Sequence, residues 1–111
     1  MTAASIAPFE VVVLLSIIRL GDDAYGLAVR RDVSARTGHD YSVGAIYTTL
    51  QRLEDKGMLN TWTSEPLPVR GGRARKHFRL TSTGRRAMRE AERRATSVWA
   101  GVPSTLLPSR P

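Results

Sequence analysis

With 111 residues, 41% of them hydrophobic, the chain can build one compact domain, and having no cysteine it lacks a disulfide framework, a thiolate nucleophile and thiolate metal ligands. Seventeen Lys and Arg face ten Asp and Glu, and the excess is local: between Arg70 and Arg94 ten bases meet only Glu90 and Glu92, whereas the other seven bases face eight acids. Such a surplus is the electrostatic footprint expected for a polyanion partner, with a solvated basic face as the bland alternative.

Pro8 followed by Phe9, Val12, Val13, Ile17 and Leu20 sets apolar residues at helical spacing behind a first-turn proline, so a first helix is expected over Pro8–Leu20. Its apolar run lies between Glu10 and Arg19 and is far too short to span a bilayer. Residues 1–8 carry no Lys or Arg, which a secretory signal would place there, so no membrane association and a cytoplasmic location are expected. Gly21 ends this helix, and Asp22 or Asp23 is expected to cap a second one over 24–37, with Tyr25, Leu27, Ala28 and Val33 available to the core. Gly38 stops it, and the turn that follows offers Asp40 or Ser42 as cap for a third helix running to Lys56.

After Gly57 the period becomes extended. Leu59, Thr61, Trp62 and Thr63 mark a strand over 58–64, Pro66 and Pro68 interrupt it, and Gly71 and Gly72 make residues 70–73 a flexible tip. A second strand is expected over 77–80. Thr81 or Thr83 can then cap a fourth helix reaching about residue 100, and Pro103 with the tail is expected to fray. The fold class that follows is mainly α with a small β-hairpin: a winged helix-turn-helix over 1–82, a C-terminal dimerisation helix over 83–102 and a flexible tail over 103–111.

On a helical wheel the third helix divides cleanly. Ile46, Leu50 and Leu53 face inward, while Gly44, Ala45, Thr48, Gln51 and Arg52 fall on the opposite side and Tyr47 on the flank. Small residues let a backbone approach a DNA groove, Thr48 offers a hydroxyl and a methyl to base edges, and the Tyr47 hydroxyl suits a phosphate. Ser42, at the helix start, belongs to the same candidate surface. An ordinary amphipathic surface helix would show the same wheel, but the hairpin beside it carries Arg70, Arg73, Arg75, Lys76 and Arg79, whose guanidinium groups suit phosphates or a narrow minor groove.

Three stretches together resemble a known family. Tyr25-Gly26, then G-A-I-Y-x-x-L-x-R-L-E-x-K-G over 44–57, then G-R-x-R-K-x-F-x-L-T-x-x-G over 72–84, are similar to the PadR family of transcriptional regulators, across roughly residues 6–100. The resemblance implies a short-tailed homodimer with one winged-helix domain per subunit and a single C-terminal pairing helix. It further implies a repressor that leaves DNA when a small molecule binds, with Tyr47 as the motif tyrosine of the recognition helix and Arg73, Arg75 and Lys76 as wing bases. Thr48 departs from the proline that many members carry there, and the C-terminal helix is short and rich in alanine.

Apart from the family, Met88, Ala91, Ala95, Val98 and Val102 recur at heptad-like steps of 3, 4, 3 and 4, a seam for pairing or for packing within one subunit. Alanines bury little area at ~25 cal/mol per Å², so the first helix is expected to share any interface. A two-fold dimer would hold its recognition helices ~34 Å apart and favour a palindromic double-stranded operator. Trp99 near the seam is either interface filler or a platform for a small aromatic or planar effector.

Catalytic signatures are missing. His39 and His77 lie far apart without a carboxylate pair at metal-ligand spacing, and there is no nucleophile elbow, phosphate-binding glycine loop or dinucleotide fingerprint. No metal, no cofactor and no enzymatic activity are expected. The expected function is a sequence-specific DNA-binding transcriptional regulator, a dimeric repressor relieved by an effector. The alternative is an interaction module whose basic face docks an acidic protein.

Overall fold

The computed structural model describes residues 5–64 and 74–106. Helices α1 (Pro8–Leu20), α2 (Gly26–Thr37) and α3 (Val43–Asp55) precede strands β1 (Leu59–Thr63) and β2 (Lys76–Leu80), and α4 (Ser82–Trp99) follows them. The strands pair antiparallel with Leu59 opposite Leu80 and Thr63 opposite Lys76. The result is a winged helix-turn-helix: α2, a short turn and α3, flanked by the hairpin. Arg73, like the rest of the tip, lies outside the described residues.

One core joins these elements. Val13, Leu14 and Ile17 of α1 meet Val29 and Val33 of α2 and Ile46, Leu50 and Leu53 of α3, and Phe78 and Leu80 close the cluster from β2. Three of the four helix starts have a local cause. Glu10, in the first turn of α1, reaches back to accept the Ala7 amide at 2.7 Å. Ser42 Oγ accepts the Ala45 amide at 3.0 Å and caps α3, while Asp40 pairs instead with Arg30. Thr81 Oγ1 accepts the Gly84 amide at 3.0 Å and caps α4.

The start of α2 departs from the sequence expectation. Asp22 and Asp23 do not cap it; Gly21–Asp23 forms a 3₁₀ turn, and Tyr25, in extended conformation, takes the N-cap position without any side-chain cap. The sheet accounts for the difference. The Phe78 amide donates to the Ala24 carbonyl at 2.8 Å and Tyr25 bridges His77, so residues 24–25 serve as a minimal third strand along β2. A ladder bond shielded beside the core outweighs an exposed carboxylate cap. Leu27 also leaves the expected core: Val29 and Val33 define the inward side, and Leu27 sits roughly 200° round the helix from Val29, half exposed.

Helix α4 touches the body only at its beginning. Gly84 is buried and Ala87 and Met88 rest against the core, but every described residue from Glu92 onward is exposed. The helix ends at Trp99, so Val102 lies beyond it and does not continue the helical stripe. No described helix is long and apolar enough to cross a membrane.

Candidate nucleic-acid interface

The outward side of α3 is built from residues that the core leaves free. With Ile46, Leu50 and Leu53 inside, Gly44, Ala45, Thr48, Gln51 and Arg52 are all exposed. Thr49 turns inward and its hydroxyl donates to the Ala45 carbonyl at 2.9 Å, so Thr48 is the threonine that presents its hydroxyl and methyl to solvent. A Cβ at Gly44 would meet nothing nearer than Ser42 Oγ at 4.0 Å, leaving a low surface at the first turn. The first part of this face fits a groove because Gly44, Ala45 and Thr48 hold no long side chain between backbone and partner.

Tyr47 leans from the flank of α3 onto α2. Its ring and hydroxyl cover Gly26 so closely that any Cβ there would collide with them. Glycine at 26 therefore makes room for the aromatic side chain of α3 in this position, and the Tyr25-Gly26 pair and the α3 motif belong to a single contact. The Tyr47 hydroxyl makes no hydrogen bond with any described residue, leaving its donor for a partner.

The hairpin bases diverge according to strand parity, since alternate residues face opposite sides. Arg75 lies 4.3 Å from the centre of the Tyr25 ring, towards the start of α2. Lys76, on the other face, approaches Glu54 at 3.6 Å near the end of α3, and Arg79 approaches Asp22 at 3.8 Å. These last two pairs are largely exposed and weak enough for a polyanion to displace. Arg52 and Arg75 have no carboxylate partner among the described residues.

Between Arg75 and Arg79 lies a residue that sequence reasoning weighed only as a metal ligand. His77 is 7% exposed, stacks on Trp62 with ring centres 4.2 Å apart, and meets the edge of Tyr25 at 5.7 Å. Among the described residues neither ring nitrogen has a hydrogen-bond partner and no cluster could hold a metal. The stack of Trp62, His77 and Tyr25 runs across the three paired segments and fixes the hairpin against α2. Only the register reveals it: Trp62 and His77 are directly opposite, and Tyr25 bridges the same histidine.

Away from this face, α1 and α4 border an apolar groove of about 910 Å³ lined by Leu15, Ile18, Met88, Ala91 and Ala95. Met88 and Ala91 are half-buried, Ala95 and Val98 are exposed, and Trp99 is 61% exposed at the helix end, outside the groove.

Known proteins share this architecture. The model of the family described as transcriptional regulator PadR-like matches residues 14–90. A PadR family transcriptional regulator from Eggerthella lenta is 28% identical, with 87% of this chain and 82% of that one covered and a TM-score of 0.63. A PadR family regulator from Clostridium difficile has the same fold at 23% identity, covering 90% of this chain and 99% of its own, with a TM-score of 0.63. In sequence, an uncharacterized protein of Lysinibacillus sphaericus is 29% identical over 85 residues, 75% of this chain and 72% of that protein.

Proposed function

This chain belongs to the PadR-like family of transcriptional regulators, and on that footing we infer that it is a dimeric, sequence-specific repressor of transcription that binds double-stranded DNA in the cytoplasm and is relieved by a small molecule. The observation that carries the reading is the juxtaposition of the low, polar outer side of α3 with the arginine-bearing hairpin. In this role α3 enters the major groove, where Thr48 and its neighbours read bases, while Arg73, Arg75 and Lys76 meet the sugar-phosphate backbone.

Salt dependence tests the assignment. Each phosphate contact releases counterions, so affinity should fall steeply with salt. The Arg75→Ala, Lys76→Ala double variant should bind every duplex more weakly and flatten the slope of log affinity against log salt by about one to two. Unchanged affinity and slope in a gel-shift titration would remove the hairpin from the interface.

The α1–α4 groove supports the dimer. Ile18 is 53% exposed in one subunit, on an apolar surface that a second copy would cover with its own α1 and α4. The parent should sediment as a dimer, and Ile18→Glu as a folded monomer that binds a palindromic duplex at least about tenfold more weakly. A monomeric parent would refute the dimer. The effector is read as planar and aromatic, with Trp99, exposed at the end of α4, as its stacking surface.

A further inference from the structure

Two arginines converge on one tyrosine at the start of α2. Arg31 folds back along its helix: its Nε donates to the Leu27 carbonyl at 3.4 Å and a terminal nitrogen donates to the Tyr25 hydroxyl at 2.8 Å. Arg75 arrives from the hairpin and sets its guanidinium 4.3 Å from the centre of the same ring, with that of Arg31 at 6.0 Å. Neither has a carboxylate partner among the described residues, whereas Arg19, Arg30, Arg36, Lys56, Lys76 and Arg79 each have one. The ring face attracts Arg75 and the hydroxyl holds Arg31, so two guanidinium groups without a described carboxylate partner are kept beside one tyrosine, where an anion would find both.

Other groups at the same place favour the same ligand. The first turn of α2 has no side-chain cap, so no carboxylate or hydroxyl of the chain offsets the positive end of its dipole. The Tyr47 hydroxyl, lying over Gly26, adds a donor without a described partner. In helix-turn-helix proteins the first helix of the motif crosses the DNA backbone, which brings its start to a phosphate.

We propose that Arg31 and Arg75, gathered by Tyr25 at the start of α2, clamp one backbone phosphate of the bound duplex; the proposal rests on the DNA-binding reading above. Guanidinium forks suit a phosphate's paired oxygens, and two of them on one phosphate would fix the distance between hairpin and helix-turn-helix. Tyr25 is a positioning residue: its ring holds Arg75, its hydroxyl holds Arg31, and its packing against His77 sets the ring plane.

Methylphosphonate scanning tests the clamp. A duplex selected by the parent protein from a random-sequence library is neutralised one phosphate at a time, and binding is measured for the parent, Arg31→Ala, Arg75→Ala, the double variant and Tyr25→Phe. The parent should lose at least about tenfold at one phosphate per half-site, and Arg31→Ala and Arg75→Ala should both lose that sensitivity at the same phosphate. The double variant should lower the salt slope by about 0.9, the value for a single phosphate on a duplex. Tyr25→Phe should weaken the sensitivity at that phosphate without changing the preferred sequence, a pattern that general destabilisation would not give. Sensitivities lost at two different phosphates, or retained in either alanine variant, would overturn the clamp while leaving DNA binding intact. A parent protein that selects no duplex would instead overturn the DNA-binding reading and the clamp with it. Arg31 and Arg75 are exposed, so unchanged melting of the variants is expected and separates loss of contact from loss of fold.

Discussion

Replacing Glu10 by Gln should destabilise the protein by about 3 kcal/mol at neutral pH and flatten its acid unfolding. Glu10 is 1% exposed, yet its carboxylate accepts from the Ala7 amide at 2.7 Å and from Lys56 Nζ at 2.8 and 3.0 Å. Burial by itself pushes the carboxyl up; the Ala7 and Lys56 hydrogen bonds and the charges of Lys56 and Arg52 outweigh it and hold Glu10 below the ordinary carboxylate value. A carboxyl depressed by folding contributes stability above its unfolded value and loses it as pH falls through the folded one. Stability should therefore be level near neutrality and decline from about pH 4.5 downward. Asp32 adds to the lower part of that decline: burial raises it, and hydrogen bonding and charge from Arg19, with the charge of Arg36, lower it further than burial lifts it. Glutamine preserves an acceptor for Ala7 but leaves the Lys56 ammonium with the Ser5 carbonyl at 2.8 Å and no countercharge. Because the Lys56 side chain retains some contact with water, the loss belongs at the low end of the range for breaking a buried pair. Urea unfolding at pH 7 and across pH 3–5 measures both effects. A Glu10→Gln variant as stable as its parent at pH 7 would mean that the pair only offsets its own desolvation.

Why this pair escapes sequence reading, while α3 does not, is a matter of range. The spacing of Ile46, Leu50 and Leu53 is a signal within one helix, and Ser42 and Gly57 punctuate it, so both the helix and its outward residues are legible in order along the chain. The hairpin is equally local, with branched and aromatic residues on each side of a proline- and glycine-rich stretch. Glu10, by contrast, looks like a charge that merely interrupts an apolar run; its partner is 46 residues away. The start of α2 misleads for the same reason. Asp22 and Asp23 give a plausible local cap signal, but residues 24–25 are claimed by β2, a partner far along the chain. The Tyr25, Arg31 and Arg75 cluster combines a helix start, a helix interior and a strand entrance, and no periodicity connects them. Thus the reading face of α3 is visible from residue types alone, whereas the residues that orient the hairpin beside it emerge only from the register that stacks Trp62 on His77.

Gly84→Ala should cost about 2 kcal/mol, although alanine is intrinsically the better helix residue by roughly 1 kcal/mol. Gly84 is buried in the first turn of α4, where an added Cβ would collide with the Met58 carbonyl oxygen. That oxygen is backbone, on a fully buried residue, and it already accepts the Thr81 amide at 3.0 Å. Thr81 also donates its hydroxyl to the Gly57 carbonyl at 2.6 Å, so two hydrogen bonds from Thr81 tie the start of α4 to the turn between α3 and β1. Nothing there yields without breaking one of them, and the strain outweighs the gain in helix propensity. A loss of this size should lower the melting temperature by about 10 °C in a domain of this length. Gly26→Ala supplies the control for close approach as such. Its Cβ would strike the Tyr47 ring, the end of a 45% exposed side chain that can swing into solvent, so its melting temperature should fall by less than half as much. Equal losses in the two variants would show that the rigidity of the Met58 backbone is not what makes Gly84 costly to replace. A larger loss at Gly84, joined to weaker self-association, would show that the angle at which α4 leaves the body, and with it the geometry of the α1–α4 groove, is set at this one backbone contact.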